Sequence, residues 1–410
     1  MSSPSPETWR HSLVWLVALP LLLLAIIGAS TPVTERAQGF DSDGKRYAVM
    51  ADASLFKARY SHEAPWCWRV MTPFLASLLP FSTLTDFRVL AFVSNWLSLV
   101  LIFGILRRSG FSHALSALGV VLYAGVFWSI KFFFYSPAYI DSGTQVFWLA
   151  ILYCAVAGRY AAVPVLLTVG VLQKESLLLL APVVWVDFAA RQGSLQLRSL
   201  AYGGALAVPA ALILLGVRTA IPAANDYAAA DMIASQIAYT ATPANWPRLL
   251  LAVFSGLGIL PLVAALRPRA AGARLHEPLW FALLVLGGVL LVGGEDKARL
   301  FLYALPAVVV LAVAAIDDLR RRVAPGRFVP WLAVILGLHL SLGHHLSRMV
   351  GFRAYMDRMV PTYASDDAVV SGLVRLAVVT ALFAVATALL IRPRSPERPR
   401  PAITREGLHR

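Results

Sequence analysis

The feature that most constrains this chain is a succession of apolar runs, each roughly 15–22 residues long, separated by short polar or basic links. A helix of that length crosses a ~30 Å hydrocarbon core. Strand-like alternation, the weaker signal of a membrane barrel, is absent. Composition agrees: 59% of the 410 residues are hydrophobic and only 14% are charged, whereas a soluble surface needs nearer a quarter charged residues to be wetted. The fold class expected is all-α, a polytopic integral membrane protein with about 12 transmembrane helices.

The expected spans cover about 12–29, 87–106, 112–130, 142–158, 160–173, 176–190, 199–217, 247–266, 278–293, 299–316, 328–343 and 368–391. The fifth and sixth come from one long stretch, divided at Gln173, Lys174 and Glu175 because two charges at the centre of a single helix would be costly. The first run follows Arg10 and reads as a signal anchor that stays in place. Residues 1–391 then form one transmembrane domain, and 392–410, rich in arginine and proline, form a disordered basic cytoplasmic tail.

The net charge of +14 raises nucleic-acid binding, and its distribution argues against it. Most of the arginines sit in short links, among them Arg107, Arg108, Arg159, Arg267, Arg269 and Arg320 to Arg322. That is the positive-inside pattern, not a basic groove. It places both termini in the cytoplasm. The remaining links are external. They hold all five lysines, Lys45, Lys57, Lys131, Lys174 and Lys297, together with Asp41, Asp43, Asp141, Glu175, Glu295 and Asp296. Binding or chemistry is therefore expected at the external face.

The first external link, about 30–86, carries the most information. In it Tyr47, Met50, Ala51 and Leu55 share a helical face, which predicts an amphipathic helix lying on the bilayer. Asp41 and Asp43 then fall at its N-terminus. Capping accounts for one of them and not for two flanking Ser42. Further on, Trp66, Val70, Pro73 and Phe74 fit a second interfacial face, with Arg69 projecting among aromatics where its guanidinium could fork onto a phosphate or simply anchor the helix. Lys131, Asp141, the Lys174-Glu175 pair and the Glu295-Asp296-Lys297-Ala298-Arg299 run mark the external ends of spans. Charges at that depth suggest a site, although snorkelling or mutual neutralisation would explain each alone. The last external link holds His344-His345, a poor metal signal, and Arg348, Arg353 and Arg358, which suit a phosphate-bearing headgroup or plain solvation. Cys67 and Cys154 form no CxxC motif, and no P-loop or dinucleotide fingerprint appears in a fitting context.

With these residues in view the chain resembles the GT-C superfamily of membrane glycosyltransferases, in particular bacterial mannosyltransferase-like members. Three stretches carry the resemblance: Asp43-Gly44-Lys45-Arg46-Tyr47 in the first link, Trp68-Arg69-Val70-Met71-Thr72-Pro73 downstream, and Val171-Leu172-Gln173-Lys174-Glu175-Ser176 after a middle span. The resemblance implies a transferase of the bacterial cytoplasmic (inner) membrane that uses a polyprenyl-phosphate-linked sugar donor at the external face. It implies Asp43 as general base, with Asp41 as the alternative. Arg69, Lys174 and Arg299 would bind the departing phosphate, and Tyr47, Lys131, Asp141, Glu175 and Asp296 are further site candidates. Asp41-Ser42-Asp43 could hold a divalent ion, but no cofactor is implied. The expected partners are the lipid-linked donor and membrane lipids, not nucleic acid. A transporter or flippase of a lipid-linked sugar or other anionic substrate is the alternative reading, and a polymerase acting on lipid-linked sugars is a third.

Overall fold

The computed structural model describes residues 14–53, 63–193, 196–276, 278–280, 283, 288, 296–346 and 352–391. Among these residues the chain is helical throughout and contains no strand. Four helices are long and apolar enough to cross a membrane, or up to six if each of two bent helix pairs counts as one span. The other expected spans fall on shorter or broken helices, and that at 278–293 lies largely outside the described residues, as do Glu295, Arg348 and the tail 392–410.

The chain opens with α1 (Leu19–Ser30). Within the first link lie α2 (Ser42–Ala53) and the short α3 (Met71–Ser77). Helix α4 (Thr83–Arg108) has Asp86 in its first turn and Arg107 and Arg108 in its last, charges that complement the helix dipole at each end. At 1.5 Å per residue its 26 residues span about 39 Å. Next come α5 (His113–Ala124), α6 (Phe132–Tyr135), α7 (Asp141–Val156), α8 (Val163–Gly170), α9 (Leu180–Arg191) and α10 (Leu197–Ala220). The C-terminal half contains α11 (Ala229–Ala241), α12 (Trp246–Leu257), α13 (Leu260–Ala265), α14 (Pro268–Gly272), α15 (Lys297–Leu300), α16 (Leu305–Arg322), α17 (Pro325–Leu342), α18 (Phe352–Met359) and α19 (Asp366–Leu390).

Burial sorts these helices into centre and rim. Fourteen of the eighteen residues of α16 are buried, as its stretch 305–316, apolar all round, requires. It packs against α5, α13 and α14, while α4 packs along α7. By contrast α19 buries only Val369, Leu376, Val379 and Phe383. Its Val370, Val374, Val378, Leu382, Val385 and Leu389 form an outward stripe, each more than half exposed. Leu200, Val208, Leu212 and Leu215 of α10 are likewise more than half exposed. Such continuous apolar faces are what lipid, rather than water, accommodates.

Three expected spans are not straight. The third bends by 76° between α5 and the segment Phe127–Tyr135. The carbonyls released by the bend are taken up by side chains: His339 Nε2 donates to Leu122 O at 2.7 Å and Ser129 Oγ to Tyr123 O at 2.6 Å. Lys131 therefore does not end a span; it lies within the second limb and is fully buried. The eighth breaks at Gly258, whose φ of +60° favours glycine and whose Cβ, if added, would lie 2.5 Å from His339 Nδ1. The tenth bends by 67° ahead of α16, where Pro306 removes a donor and its ring would clash with the carbonyl of Leu302 in a continuous helix.

The first link also differs from expectation. The face of α2 bearing Tyr47, Met50 and Ala51 does not lie on the bilayer; it is buried against Cys67, Ala76, Phe87, Ala138 and Ile140, which give it an apolar partner inside the protein. Leu55 lies outside the described residues. Nor do Trp66 to Phe74 form one helix. A 3-10 turn at Trp66–Trp68 stops before Arg69, and α3 begins at Met71, because a helix through 69–73 would set the Pro73 ring against the Arg69 carbonyl. The outward apolar residues of this region are instead Phe74, Leu75, Leu78 and Phe81.

Candidate functional site

Helix α8 ends at Gly170, and the next residues leave helical geometry before α9. Gly170 O accepts both Gln173 N (2.8 Å) and Lys174 N (3.1 Å), a tight reversal that leaves Lys174 extended (φ −164°, ψ 132°). Gln173 ties this break to its neighbours. Its Oε1 accepts from Thr72 Oγ1 at 2.8 Å and its Nε2 donates to Ile140 O at 2.6 Å, while Met71 N donates to Leu172 O at 3.1 Å. The starts of α3 and α7 are thereby held against the break. On the other side α2 comes close to the turn before α7, since a Cβ on Gly44 would lie 3.1 Å from Ala138 Cβ.

The arrangement brings charges from five segments together. Asp141, in the first turn of α7, accepts from Lys174 Nζ on Oδ1 at 2.6 Å and from Arg299 Nη1 on Oδ2 at 3.1 Å. Arg299 lies beside two more carboxylates, with Nη1 3.8 Å from Asp43 Oδ2 and Nε 3.3 Å from Asp296 Oδ2. Asp296 also caps α15 through Oδ1 and Arg299 N at 3.4 Å. Arg69 forks onto Glu175, its Nε 3.1 Å from Oε2 and its Nη2 on Oε1, and its Nη1 donates to Tyr47 OH at 3.3 Å. The guanidinium of Arg299 also stands 5.1 Å from the centre of the Tyr139 ring.

Three cations thus meet four carboxylates. Asp141 and Lys174 are nearly closed off, with side chains 7% and 9% exposed, which makes mutual pairing obligatory. Asp43 keeps 20% of its side chain accessible and Asp296 keeps 19%. Burial pushes the Asp296 carboxyl up to about 6, against the opposing pull of Arg299. Asp41 turns away from the cluster: it is 2% exposed, its Oδ1 accepts from Ser136 Oγ at 3.0 Å, and burial raises its carboxyl above the ordinary range. Because Asp41 faces Ser136 and Asp43 faces Arg299, the two do not converge on a shared ion position. Among the described residues no group of three or more His, Cys, Asp or Glu is placed to hold a metal.

Of the residues singled out from sequence, Asp43, Tyr47, Arg69, Asp141, Lys174, Glu175, Asp296 and Arg299 gather here. Lys131 does not join them. Its Nζ donates instead to the backbone carbonyl of His344, and the adjoining Phe132 ring packs on Tyr139 and Tyr355. The three expected phosphate ligands are each engaged by carboxylates already. Sequence reasoning passed over the joining role of Gln173, the ring of Tyr139 and Arg375; the last was visible as a lone charge within an apolar run.

No protein-family model matches the sequence, and no curated protein matches it. Among solved structures the chain is similar to the arabinosyltransferase EmbB from Mycobacterium smegmatis, determined by single-particle cryo-EM, with 15% identity and a TM-score of 0.46. The match covers 95% of this chain and 42% of that one, so the chain spans less than half its length.

Proposed function

We propose that the protein is a membrane glycosyltransferase that moves a sugar from a polyprenyl-phosphate donor to an acceptor hydroxyl. In this reading the site faces the outside of a bacterial cytoplasmic membrane, with about twelve spans and both termini inside. The observation that carries the proposal is the placement of Asp43. It is a partly accessible carboxylate in the first turn of α2, next to a guanidinium and within a cluster of three cations. A general base must reach the acceptor, and Asp43 is partly accessible while standing beside the Arg299 guanidinium.

Asp43 would take the proton of the acceptor hydroxyl as the oxygen bonds to the anomeric carbon. The bond from that carbon to the lipid phosphate breaks, and its electron pair leaves with the phosphate. The negative charge gained there is the charge that fixed cations can stabilise without reorganising. Arg299 stands nearest, since it already touches Asp43, with Lys174 and Arg69 behind it. A guanidinium has five N–H donors in a planar fork, so Arg299 can hold Asp141 through Nη1 and still present others to a phosphate. What supports Asp43 over Asp41 is access: Asp41 is sealed behind its bond to Ser136.

The test is transfer from a radiolabelled polyprenyl-phosphate sugar pool in membranes carrying wild type or Asp43→Asn at matched expression. Loss of labelled product from a folded, inserted variant supports the proposal. Full transfer by Asp43→Asn removes Asp43 as the base. No transfer by wild type across several sugars rejects the glycosyltransferase reading.

A further inference from the structure

A second polar site lies away from the carboxylate cluster. Helices α12, α18 and α19 and the end of α17 line a half-open cavity of about 460 Å³. Its walls carry Leu251, Phe254 and Leu376, and its polar lining includes Arg358, Arg375 and His344. Arg375 is nine residues along α19 from Asp366, about 14 Å at 1.5 Å per residue. A cation at that depth in a lipid-facing helix is costly unless an opposite charge or polar groups meet it.

The protein meets it in part. Arg375 Nη2 donates to Ser341 O, and Nη1 lies 3.0 Å from a ring nitrogen of His344. Neither partner is an anion. Lys131 adds a buried cation behind His344, donating to that residue's carbonyl. Among the described residues no carboxylate pairs with Arg358, Arg375 or Lys131. The one acidic residue lining the cavity, Asp357, is committed to Arg353 at 3.1 Å and to the Ser365 amide at 3.2 Å. The lining therefore holds an excess of positive charge beside apolar walls.

The surroundings indicate what could balance that charge. Helix α19 turns Val370, Val374 and Val378 toward lipid on its outer face, so the cavity lies one helix away from the bilayer. Ring contacts run from Trp128, bonded to Ser255 of the cavity wall, through Phe132 to Tyr139, over which Arg299 sits. A chain of aromatic contacts thus runs from the wall of this cavity to the carboxylate cluster.

We propose that the cavity binds the phosphate of an anionic membrane lipid, with Arg375 and Arg358 as its ligands and the apolar walls flanking the first carbons of the chain. The required chemistry is a phosphate ester on a hydrophobic tail, which fits a guanidinium fork at the edge of hydrocarbon. A bulk phospholipid and a polyprenyl phosphate both carry that group. This site does not depend on the sugar-transfer reading, and its test reads lipid retention rather than transfer.

The full chain would be placed in nanodiscs of phosphatidylcholine doped with phosphatidylglycerol, and retained lipids counted by native mass spectrometry. Wild type should hold phosphatidylglycerol in preference to phosphatidylcholine. Arg358→Gln/Arg375→Gln should lose that preference by about tenfold or more, the scale of one charge-assisted pair. Arg375→Lys keeps the charge and should keep most of the preference, which separates lost binding from lost folding. A polyprenyl monophosphate added in competition identifies the source: displacement of phosphatidylglycerol assigns the site to the prenyl carrier, and failure to displace it assigns the site to bulk phospholipid. Equal retention of both phospholipids by wild type with no retention of the prenyl phosphate, or undiminished preference in the double variant, overturns the proposal.

Discussion

Lys174 Nζ lies 2.6 Å from Asp141 Oδ1, joining the break after α8 to the first turn of α7. Both side chains are less than a tenth exposed, so removal of either leaves a charge that water cannot reach. Lys174→Met should cost about 1–3 kcal/mol of stability, the range for leaving a buried acceptor unmet, because Arg299 still holds Asp141 Oδ2. Lys174→Met/Asp141→Leu should recover part of the loss, although Arg299 then keeps only Asp43 and Asp296. Thermal unfolding of the three purified proteins in one detergent checks this, and a double variant less stable than Lys174→Met would count against an obligatory pair.

Asp43 and Asp41 should separate in function. If Asp43 is the base, Asp43→Asn should lower transfer by roughly 10²–10⁴-fold. Asp41→Asn keeps an oxygen for Ser136 and removes a charge that burial already disfavours, so its transfer should stay within a few-fold of wild type. Initial rates on the same donor pool decide between them, and the reverse ranking would make Asp41 the better candidate.

The raised carboxyl of Asp296 predicts a pH dependence of stability. Its folded value of about 6 lies above its ordinary value of 3.8, so the folded state binds the proton more tightly than the unfolded state. This contribution is fully present below 3.8 and is lost as pH rises through about 6. Wild type should therefore melt higher at pH 5 than at pH 7, by roughly a few degrees, and Asp296→Asn should show a shallower dependence. Parallel melting curves for the two proteins would refute the assignment.

Gly258 should resist substitution. Its φ is +60°, and an alanine there would set a Cβ 2.5 Å from the His339 ring that also receives the end of α5. Gly258→Ala should destabilise the protein by about 1–3 kcal/mol. Gly288, with open space at its Cβ position, is the control, and equal melting temperatures for the two variants would contradict the strain argument.

Much of the site was legible because charge is expensive in an apolar setting. Lys174-Glu175 between two hydrophobic runs had to mark a break, and the break is where the structure gathers charges from distant links. The bends were less legible. A hydropathy pattern records that a run is apolar and not that it is straight, although Pro306 and Gly258 stood in the sequence as signals. Lys131 stands where an apolar run stops, which reads as a span end; the capture of the Leu122 carbonyl by His339, which helps carry the helix around a corner, comes from another part of the chain. The apolar face of α2 had two suitable partners, lipid or protein, and periodicity does not distinguish them. Which carboxylate meets which cation was closed to sequence for the same reason, since neighbours across helices leave no spacing rule.

Gln173 acts as a caliper. One amide of fixed length grips Thr72 with its oxygen and Ile140 with its nitrogen, so the segment carrying Arg69 and the helix carrying Asp141 are gauged from the same side chain that precedes Lys174. The spacing among these three charges is set by a neutral residue. A motion that drew the first link away from the break would open the Thr72 jaw alone, so Arg69 would lose its measure while Asp141 kept its own.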